Sequence, residues 1–170
     1  MKRYGNAIVA VVVMLSVAGL SVAALADDAT EEADKKVAYE SIELWLSGTT
    51  LKPEDVMAPN YVNHLDSQIG HGDAPQQRDL EALKEDLAQF HAAFTDVHVT
   101  SKEQVAEGDM VATRVVLSAV HSGSYLGEEP TGKTITFDSV EFTRVENGKI
   151  VETWVTWDKY GLFQQIGLVK

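Results

Sequence analysis

The sequence predicts a single α+β domain in which helices come first and an antiparallel sheet follows. Leucine and phenylalanine recur at steps of three or four in "RDLEALKEDLAQFHAAF", residues 78–94, which is the period of a helix with one buried face. Beyond Asp96, valine, threonine and aromatic residues recur at period two, which is typical of strands. Helices followed by consecutive strands indicate the α+β class. The chain has no cysteine, so no disulfide can form and packing alone must stabilise the fold.

The first 26 residues have the three parts of a secretory signal peptide. Lys2 and Arg3 supply the positive start, an apolar run follows, and Ala24-Leu25-Ala26 matches the small-residue cleavage pattern. We therefore expect cleavage after Ala26 and a secreted or periplasmic protein. The alternative is an uncleaved membrane anchor, since the apolar character extends almost to the cleavage pattern.

The remaining chain is strongly acidic. Without Lys2 and Arg3, residues 27–170 carry 12 basic against 26 acidic side chains, a formal net charge of −14. Such a surface repels phosphate backbones and anionic lipid, so we expect neither nucleic-acid binding nor membrane binding once the signal is removed.

The elements before the long helix have weaker signals. Residues 27–36, "DDATEEADKK", lack large apolar side chains and predict a loose mature N-terminus, with the folded domain covering residues 37–170. A helix is predicted from about Glu31 to Ser47, ended by Gly48. A short helical turn is predicted at Pro53, and the polar stretch "LDSQIGHGDAPQQ" predicts a loop.

Four strands are predicted after the long helix, at about 97–106, 110–122, 133–145 and 149–158. Asn147-Gly148 predicts a type I′ hairpin turn, in which Glu146 would face Lys149 and Glu141 would face Trp154. One sheet face would then carry the more polar set Glu141, Thr143, Glu152, Trp154, Thr156 and Asp158. The opposite face would carry the more apolar set Val140, Phe142, Val151, Val155 and Trp157. A bulge would reverse this assignment beyond it, so the inward face stays open.

Three segments carry a family resemblance. "YVNH" at 61–64, residues 105–158 and "GLFQQIG" at 161–167 together resemble the SnoaL-like polyketide cyclase or ester cyclase family of the NTF2-like superfamily. The most specific parts include Asn-Gly-Lys-Ile-Val-Glu-x-Trp and Asp158 before a Gln-x-Gly ending. The resemblance implies an NTF2-like cone, in which a curved antiparallel sheet with N-terminal helices packed against it encloses a pocket.

The resemblance also implies a set of catalytic residues. Asp158 matches the aspartate that acts as acid and base in an intramolecular aldol closure, without metal or cofactor. A carboxylate in a partly apolar pocket has a raised pKa, so it can take a proton from carbon and return it to oxygen. His64 and His121 match positions that point toward the family's pocket, where they could stabilise an enolate oxygen.

Five further residues are candidates for binding. Trp154 and Trp157 would supply apolar walls for a flat ligand, and Arg114 could orient a ligand carbonyl. Glu141 and Tyr61 complete the predicted set.

Six of the eight candidates also have a structural explanation. Asp158 could be a strand-end cap, His64 a loop histidine paired with its neighbours, and His121 a strand-end residue. Arg114 could form an ion pair with Glu141 or Glu152, and the two tryptophans could belong to the core.

Three functions follow from the sequence. The first is an exported cofactor-independent enzyme that acts by acid/base chemistry on a small apolar carbonyl or ester compound. The second is a non-catalytic periplasmic protein that binds a small apolar molecule in the same pocket. The third is an assembly protein that forms a homodimer through the open sheet face.

Overall fold

The computed structural model describes residues 27–65 and 76–169. In chain order its elements are α1 (27–43), α2 (Pro53–Val56), β1 (Met57–Leu65), β2 (Gln76–Arg78), α3 (Leu80–Ala93), β3 (Phe94–Glu107), β4 (Met110–His121), β5 (Thr134–Glu146), β6 (Lys149–Trp157) and α4 (Lys159–Ile166). The predicted signal peptide and most of the predicted loop "LDSQIGHGDAPQQ" lie outside the described residues. Within the described ranges, no helix is both long enough and apolar enough to span a membrane.

Helix α1 includes the segment that the sequence predicted to be loose. Residues 27–36 are helical, because alanine, glutamate and lysine have high helix propensity and the charges pair along the helix. The Lys35 ammonium lies 2.7 Å from the Glu32 carboxylate, one turn away. The Glu31 carboxylate accepts a hydrogen bond of 3.2 Å from the backbone N–H of Gly108 in the β3–β4 turn. This part of the helix is thereby attached to the β3–β4 turn.

The six strands of the described chain form one curved, unclosed sheet in the order β2-β1-β6-β5-β4-β3. The four strands predicted after the long helix are confirmed and pair antiparallel. Strands β1 and β2 were not predicted, because "MAPNYVNHL" combines proline and asparagine with few β-branched residues. Strand β1 pairs parallel with β6, so residues far apart in the sequence, such as His64 and Trp154, lie side by side in the sheet.

The core lies between the inner sheet face and the helices. Helix α3 buries Leu83, Leu87 and Phe90, as its period predicts. These side chains pack in two clusters, one with Phe94, Ile135 and Leu162 and the other with Leu44, Val56 and Ile150. Burial of each large apolar side chain contributes roughly 1.5–3 kcal/mol.

The β5–β6 hairpin contains a bulge that decides which side chains face inward. Asn147 and Gly148 both have positive φ, 53° and 72°, and Glu146 pairs with Lys149 as predicted. The next pairs are Val145 with Ile150 and Arg144 with Glu152, which leaves Val151 as an extra residue in β6. An extra residue reverses the inward and outward positions of the strand beyond it.

The predicted assignment of faces is therefore wrong along most of β6. Glu141 faces Val155 instead of Trp154, and Trp154 faces Phe142. Glu141 and Thr143 lie inward with Thr153, Val155 and Trp157. Phe142, which is 50% exposed, lies on the outer face with Trp154. The inner face therefore carries Glu141 with Trp157, and the outer face carries Trp154, the reverse of the predicted positions of the two tryptophans.

Candidate active site

A cavity of about 430 Å³ lies between the inner sheet face and helices α1, α3 and α4. This volume suits a small organic ligand. Its walls are largely apolar and aromatic, formed by Ile42, Trp45, Leu83, Phe90, Leu117, Phe137, Trp157, Leu162 and Phe163. Its buried polar groups include Ser41, Tyr61, Ser139 and Glu141. The cavity therefore has apolar walls and a buried end, which we define by these four polar residues.

Glu141 is the carboxylate of this buried end. Alternation along β5 turns it inward, and it is only 6% exposed. Its Oε1 accepts hydrogen bonds from the Ser41 hydroxyl at 3.1 Å and the Thr143 hydroxyl at 3.2 Å. Within the described part of the chain, Oε2 accepts no hydrogen bond and no lysine or arginine forms an ion pair with this carboxylate. The second oxygen is thus left for a ligand.

Burial raises the pKa of Glu141 to about 7, although the two hydroxyl groups favour the ionised form. The Ser41 hydroxyl has one hydrogen and two acceptors, and the Ala38 carbonyl at 2.8 Å is nearer than the carboxylate. When Ser41 donates to Ala38, its oxygen can accept a hydrogen from protonated Glu141. Both protonation states of Glu141 are therefore hydrogen-bonded and accessible near neutral pH.

Tyr61 of β1 lines the same end of the cavity. Its hydroxyl lies 2.7 Å from the Thr153 hydroxyl, and the side chain is buried. Burial, together with the Glu141 charge, raises the pKa of the Tyr61 phenol above its ordinary range. Tyr61 is therefore a neutral phenol that can share a hydrogen with a ligand oxygen.

An ion pair forms another part of the lining. The Arg78 Nη2 donates to the Asp86 Oδ1 at 2.8 Å, and it also lies 3.3 Å from the Ala82 carbonyl. Burial raises the pKa of Asp86, while Arg78 opposes this rise. The two charges compensate each other, so this pair adds polarity to the cavity without net charge.

The structure brings three of the eight predicted site residues into this cavity. Glu141, Tyr61 and Trp157 line it, with the Trp157 ring centroid 6.0 Å from that of Phe137. The described lining does not include the other five, Asp158, His64, His121, Trp154 and Arg114.

Asp158 caps a helix. It is exposed, and its Oδ1 accepts a hydrogen bond of 2.8 Å from the backbone N–H of Gly161 in the first turn of α4. This is the strand-end cap that the sequence allowed. Its role as acid and base stays a prediction, which this position does not favour.

His64 and Trp154 form a stacked pair on the outer sheet face. Their ring centroids are 4.9 Å apart and the rings are nearly parallel, at 8°. The His64 Nε2 lies 2.8 Å from the Glu152 Oε1. The Val151 bulge places Trp154 outward, and β1 carries His64 beside it because these two residues pair across the parallel strands.

His121 and Arg114 also have structural surroundings. His121 is fully buried, and its Nδ1 accepts from the Thr131 backbone N–H at 3.3 Å, which joins β4 to the loop at 122–133. Arg114 pairs with Asp138 at 3.1 Å and Glu103 at 3.5 Å, and not with Glu141 or Glu152 as predicted. The register of β4 places Arg114 on the outer face, where its side chain is 44% exposed.

Sequence reasoning missed the hydroxyl groups that hold Glu141. Ser41 lies beside the core face of α1, so a polar residue on a buried helix face was the available signal. Thr143 is two residues from Glu141 and shares its sheet face. Among the residues described, no group of three histidine or carboxylate side chains is placed to hold a metal ion.

Comparison with known proteins identifies the family. The family model described as SnoaL-like polyketide cyclase matches residues 35–166. IdmH from Streptomyces antibioticus, a candidate polyketide cyclase, is 29% identical with a TM-score of 0.67, over 79% of this chain and 98% of IdmH. AclR from Streptomyces galilaeus, a candidate hydroxylase, is 23% identical with a TM-score of 0.67, over 82% and 99% of the two chains.

A SnoaL-like candidate polyketide cyclase from Jannaschia sp. CCS1 is 17% identical with a TM-score of 0.68, over 82% of this chain and 95% of that one. No curated protein matches the sequence. The curved, unclosed sheet and its helices agree with the NTF2-like fold of these structures, as the resemblance implied. The family model covers most of the sequence and every described residue that lines the cavity, so the chain belongs to the SnoaL-like polyketide cyclase family.

Proposed function

We propose that the protein is a cofactor-independent enzyme in which Glu141 moves a proton within a small apolar carbonyl or ester compound. One observation carries this proposal: a carboxylate with a pKa of about 7 and a free oxygen lies at the buried end of an apolar cavity. A general base works best when its pKa is near the working pH. The family supports a ring closure as the overall reaction.

The chemistry requires one carboxylate and one hydrogen-bond donor. The ionised Glu141 removes a proton from the carbon next to a carbonyl, and the electron pair moves onto the carbonyl oxygen as an enolate. The Tyr61 hydroxyl, which lines the same cavity, is the proposed donor to that oxygen, with the Thr153 hydroxyl donating in turn to Tyr61. The enolate carbon then attacks a second carbonyl of the same molecule, and the new alkoxide takes the proton back from Glu141. The reaction is an isomerisation, so no other reactant is needed.

We extend the proposal to the place of action, which is outside the cytoplasm. The positive start, the apolar run and the Ala24-Leu25-Ala26 pattern support export. Mass spectrometry of the protein from the extracytoplasmic fraction should show an N-terminus at Asp27. An intact N-terminus in that fraction, or protein confined to the cytoplasm, would contradict this part of the proposal.

Hydrogen–deuterium exchange at carbon 2 of 1-indanone tests the chemistry directly. This flat ketone has about ten heavy atoms, which the cavity can hold, and NMR follows the loss of its α-protons in D₂O. The wild-type protein should accelerate the exchange, with a rate that rises with pH through about 7. The variant Glu141→Gln should lose roughly 100-fold or more of the acceleration and still bind the ketone.

Asp158→Asn is the matched control, because asparagine caps helices as well as aspartate does. It should retain the exchange activity. Loss of exchange in Asp158→Asn, with activity kept in Glu141→Gln, would assign the acid/base role to Asp158. Binding of the ketone without any exchange in the wild type would instead support the non-catalytic binding protein.

A further inference from the structure

The cavity has an open end as well as a buried one. Three of its described lining residues are exposed to solvent, namely Glu85, Gln89 and Leu126. Leu126 is the apolar member of this set, and 58% of its surface is exposed. A large apolar side chain is therefore exposed to water at the opening, whereas Glu141 is only 6% exposed.

The backbone of Leu126 is unfavourable for leucine. Leu126 has φ of 52° and Gly127 has φ of 89°, so both central residues of this turn are left-handed. The flanking Tyr125 and Glu128 close the turn with two reciprocal backbone hydrogen bonds of 3.0 Å. Turns of this kind favour asparagine, aspartate or glycine at the first central position. Strain of this type at a single residue is often found at ligand-binding positions.

The fold holds this turn in place over the cavity. The backbone N–H groups of Ser122 and Gly123 both donate to the Ala93 carbonyl, at 3.0 and 2.9 Å, where α3 ends. A Cβ atom on Gly123 would lie 2.0 Å from the Ala92 oxygen, so the loop passes α3 at closest approach. The Tyr125 ring packs edge-on against Phe94, with centroids 5.0 Å apart. These contacts with α3 and with Phe94 of the core therefore fix the position of Leu126.

We propose that Leu126 forms an apolar subsite at the open end, which binds the uncharged alkyl or aryl tail of a ligand whose carbonyl group lies toward Glu141. The ligand's tail removes the exposed leucine from water, which offsets the unfavourable free energy of leaving its apolar surface hydrated. The ligand class is then a ketone or ester with an apolar tail that reaches the opening. The direction in which the carbonyl points rests on the proposed function of Glu141. Binding of the tail at Leu126 does not require catalysis.

A series of alkyl phenyl ketones, from acetophenone to octanophenone, tests the subsite by calorimetric binding. In the wild type, each added methylene that contacts the cavity or Leu126 should strengthen binding by about fourfold. In Leu126→Asn, acetophenone should bind as in the wild type, whereas the longest ketones should bind about tenfold more weakly. The thermal midpoint should be unchanged or higher, because asparagine accepts the left-handed backbone better than leucine does.

Val105→Asn is the matched control. Val105 is 68% exposed on β3 and does not line the cavity. In this variant the affinity should therefore depend on ketone length as it does in the wild type. The proposal is overturned if no ketone binds, if Leu126→Asn weakens every ketone equally, or if it weakens none. A lower thermal midpoint in Leu126→Asn would show that the leucine stabilises the fold instead. Failure of the proposed function is seen separately, as an absence of deuterium exchange in a protein that binds these ketones.

Discussion

The buried carboxylate of Glu141 should make folding stability depend on pH in a way that one substitution removes. Burial holds its pKa at about 7 in the folded state, whereas its ordinary value is 4.5. Below pH 4.5 the group is protonated in both the folded and the unfolded state, so its ionisation does not lower the free energy of unfolding. Between these two values the unfolded chain ionises while the folded protein keeps its proton, and stability falls as pH rises. Above about pH 7 the loss is complete.

The size of this loss follows from the two pKa values. One pKa unit corresponds to 1.36 kcal/mol, so the Glu141 contribution should decline by about 3 kcal/mol between pH 4.5 and 7. The variant Glu141→Gln cannot ionise there and lacks this decline. Urea unfolding followed by tryptophan fluorescence at several pH values gives the free energy of unfolding of both proteins. Their difference isolates Glu141, since the other titrating groups contribute equally to both.

A control with the opposite sign is available on the outer face. The hydrogen bond from His64 lowers the pKa of Glu152, so Glu152 adds stability above its unfolded pKa and loses it as pH falls through the folded pKa. Glu152→Gln should therefore remove a small contribution at neutral pH, weakened by salt. Parallel curves for wild type and Glu141→Gln from pH 5 to 7 would refute the reasoning about the buried carboxylate.

Three further outcomes follow from contacts already described. Asp158→Ala should lower the free energy of unfolding by about 1 kcal/mol through loss of the α4 cap, and Asp158→Asn by much less, both measured by urea unfolding. Ketone binding should quench tryptophan fluorescence more in Trp154→Phe, which keeps both cavity tryptophans, than in Trp157→Phe, which keeps only Trp45 there; equal quenching would contradict the face assignment. Gly123→Ala should destabilise the protein by roughly 1–3 kcal/mol, since the added methyl group meets the backbone of α3, and an unchanged thermal midpoint would contradict that contact.

Much of the fold could be predicted from sequence because its signals are local. The period of α3, the alternation in β3 to β6 and the Asn147-Gly148 turn each depend on neighbouring residues only. Strands β1 and β2 lack such a signal. Strand β1 is held by its parallel pairing with β6, far along the chain, and tertiary contacts of this kind override weak local preference.

The candidate site was less predictable, for two physical reasons. The Val151 bulge leaves no mark in the alternation of β6, so hairpin arithmetic placed Trp154 rather than Trp157 with Glu141. The family resemblance directed attention to Asp158, whose side chain serves the first turn of α4 in this structure. Glu141 and Tyr61 were both candidates, but their burial and the hydroxyl groups around them depend on helix α1 and strands β1, β5 and β6 meeting in space.

The extra residue in β6 also bears on how such a protein can change. Deletion of Val151 would remove the bulge but keep the pairs beyond it, so Trp154 would still face Phe142 and Trp157 would stay on the cavity side. A shift of β6 by one residue, with Val151 taken into the pairing opposite Arg144, would instead exchange a whole row of side chains between solvent and ligand, while the turn at Asn147-Gly148 and its first two pairs remained as they are. Few point substitutions could alter the cavity as much. Relatives whose β5–β6 hairpin keeps this residue but pairs without a bulge are therefore expected to differ in the ligands they accept.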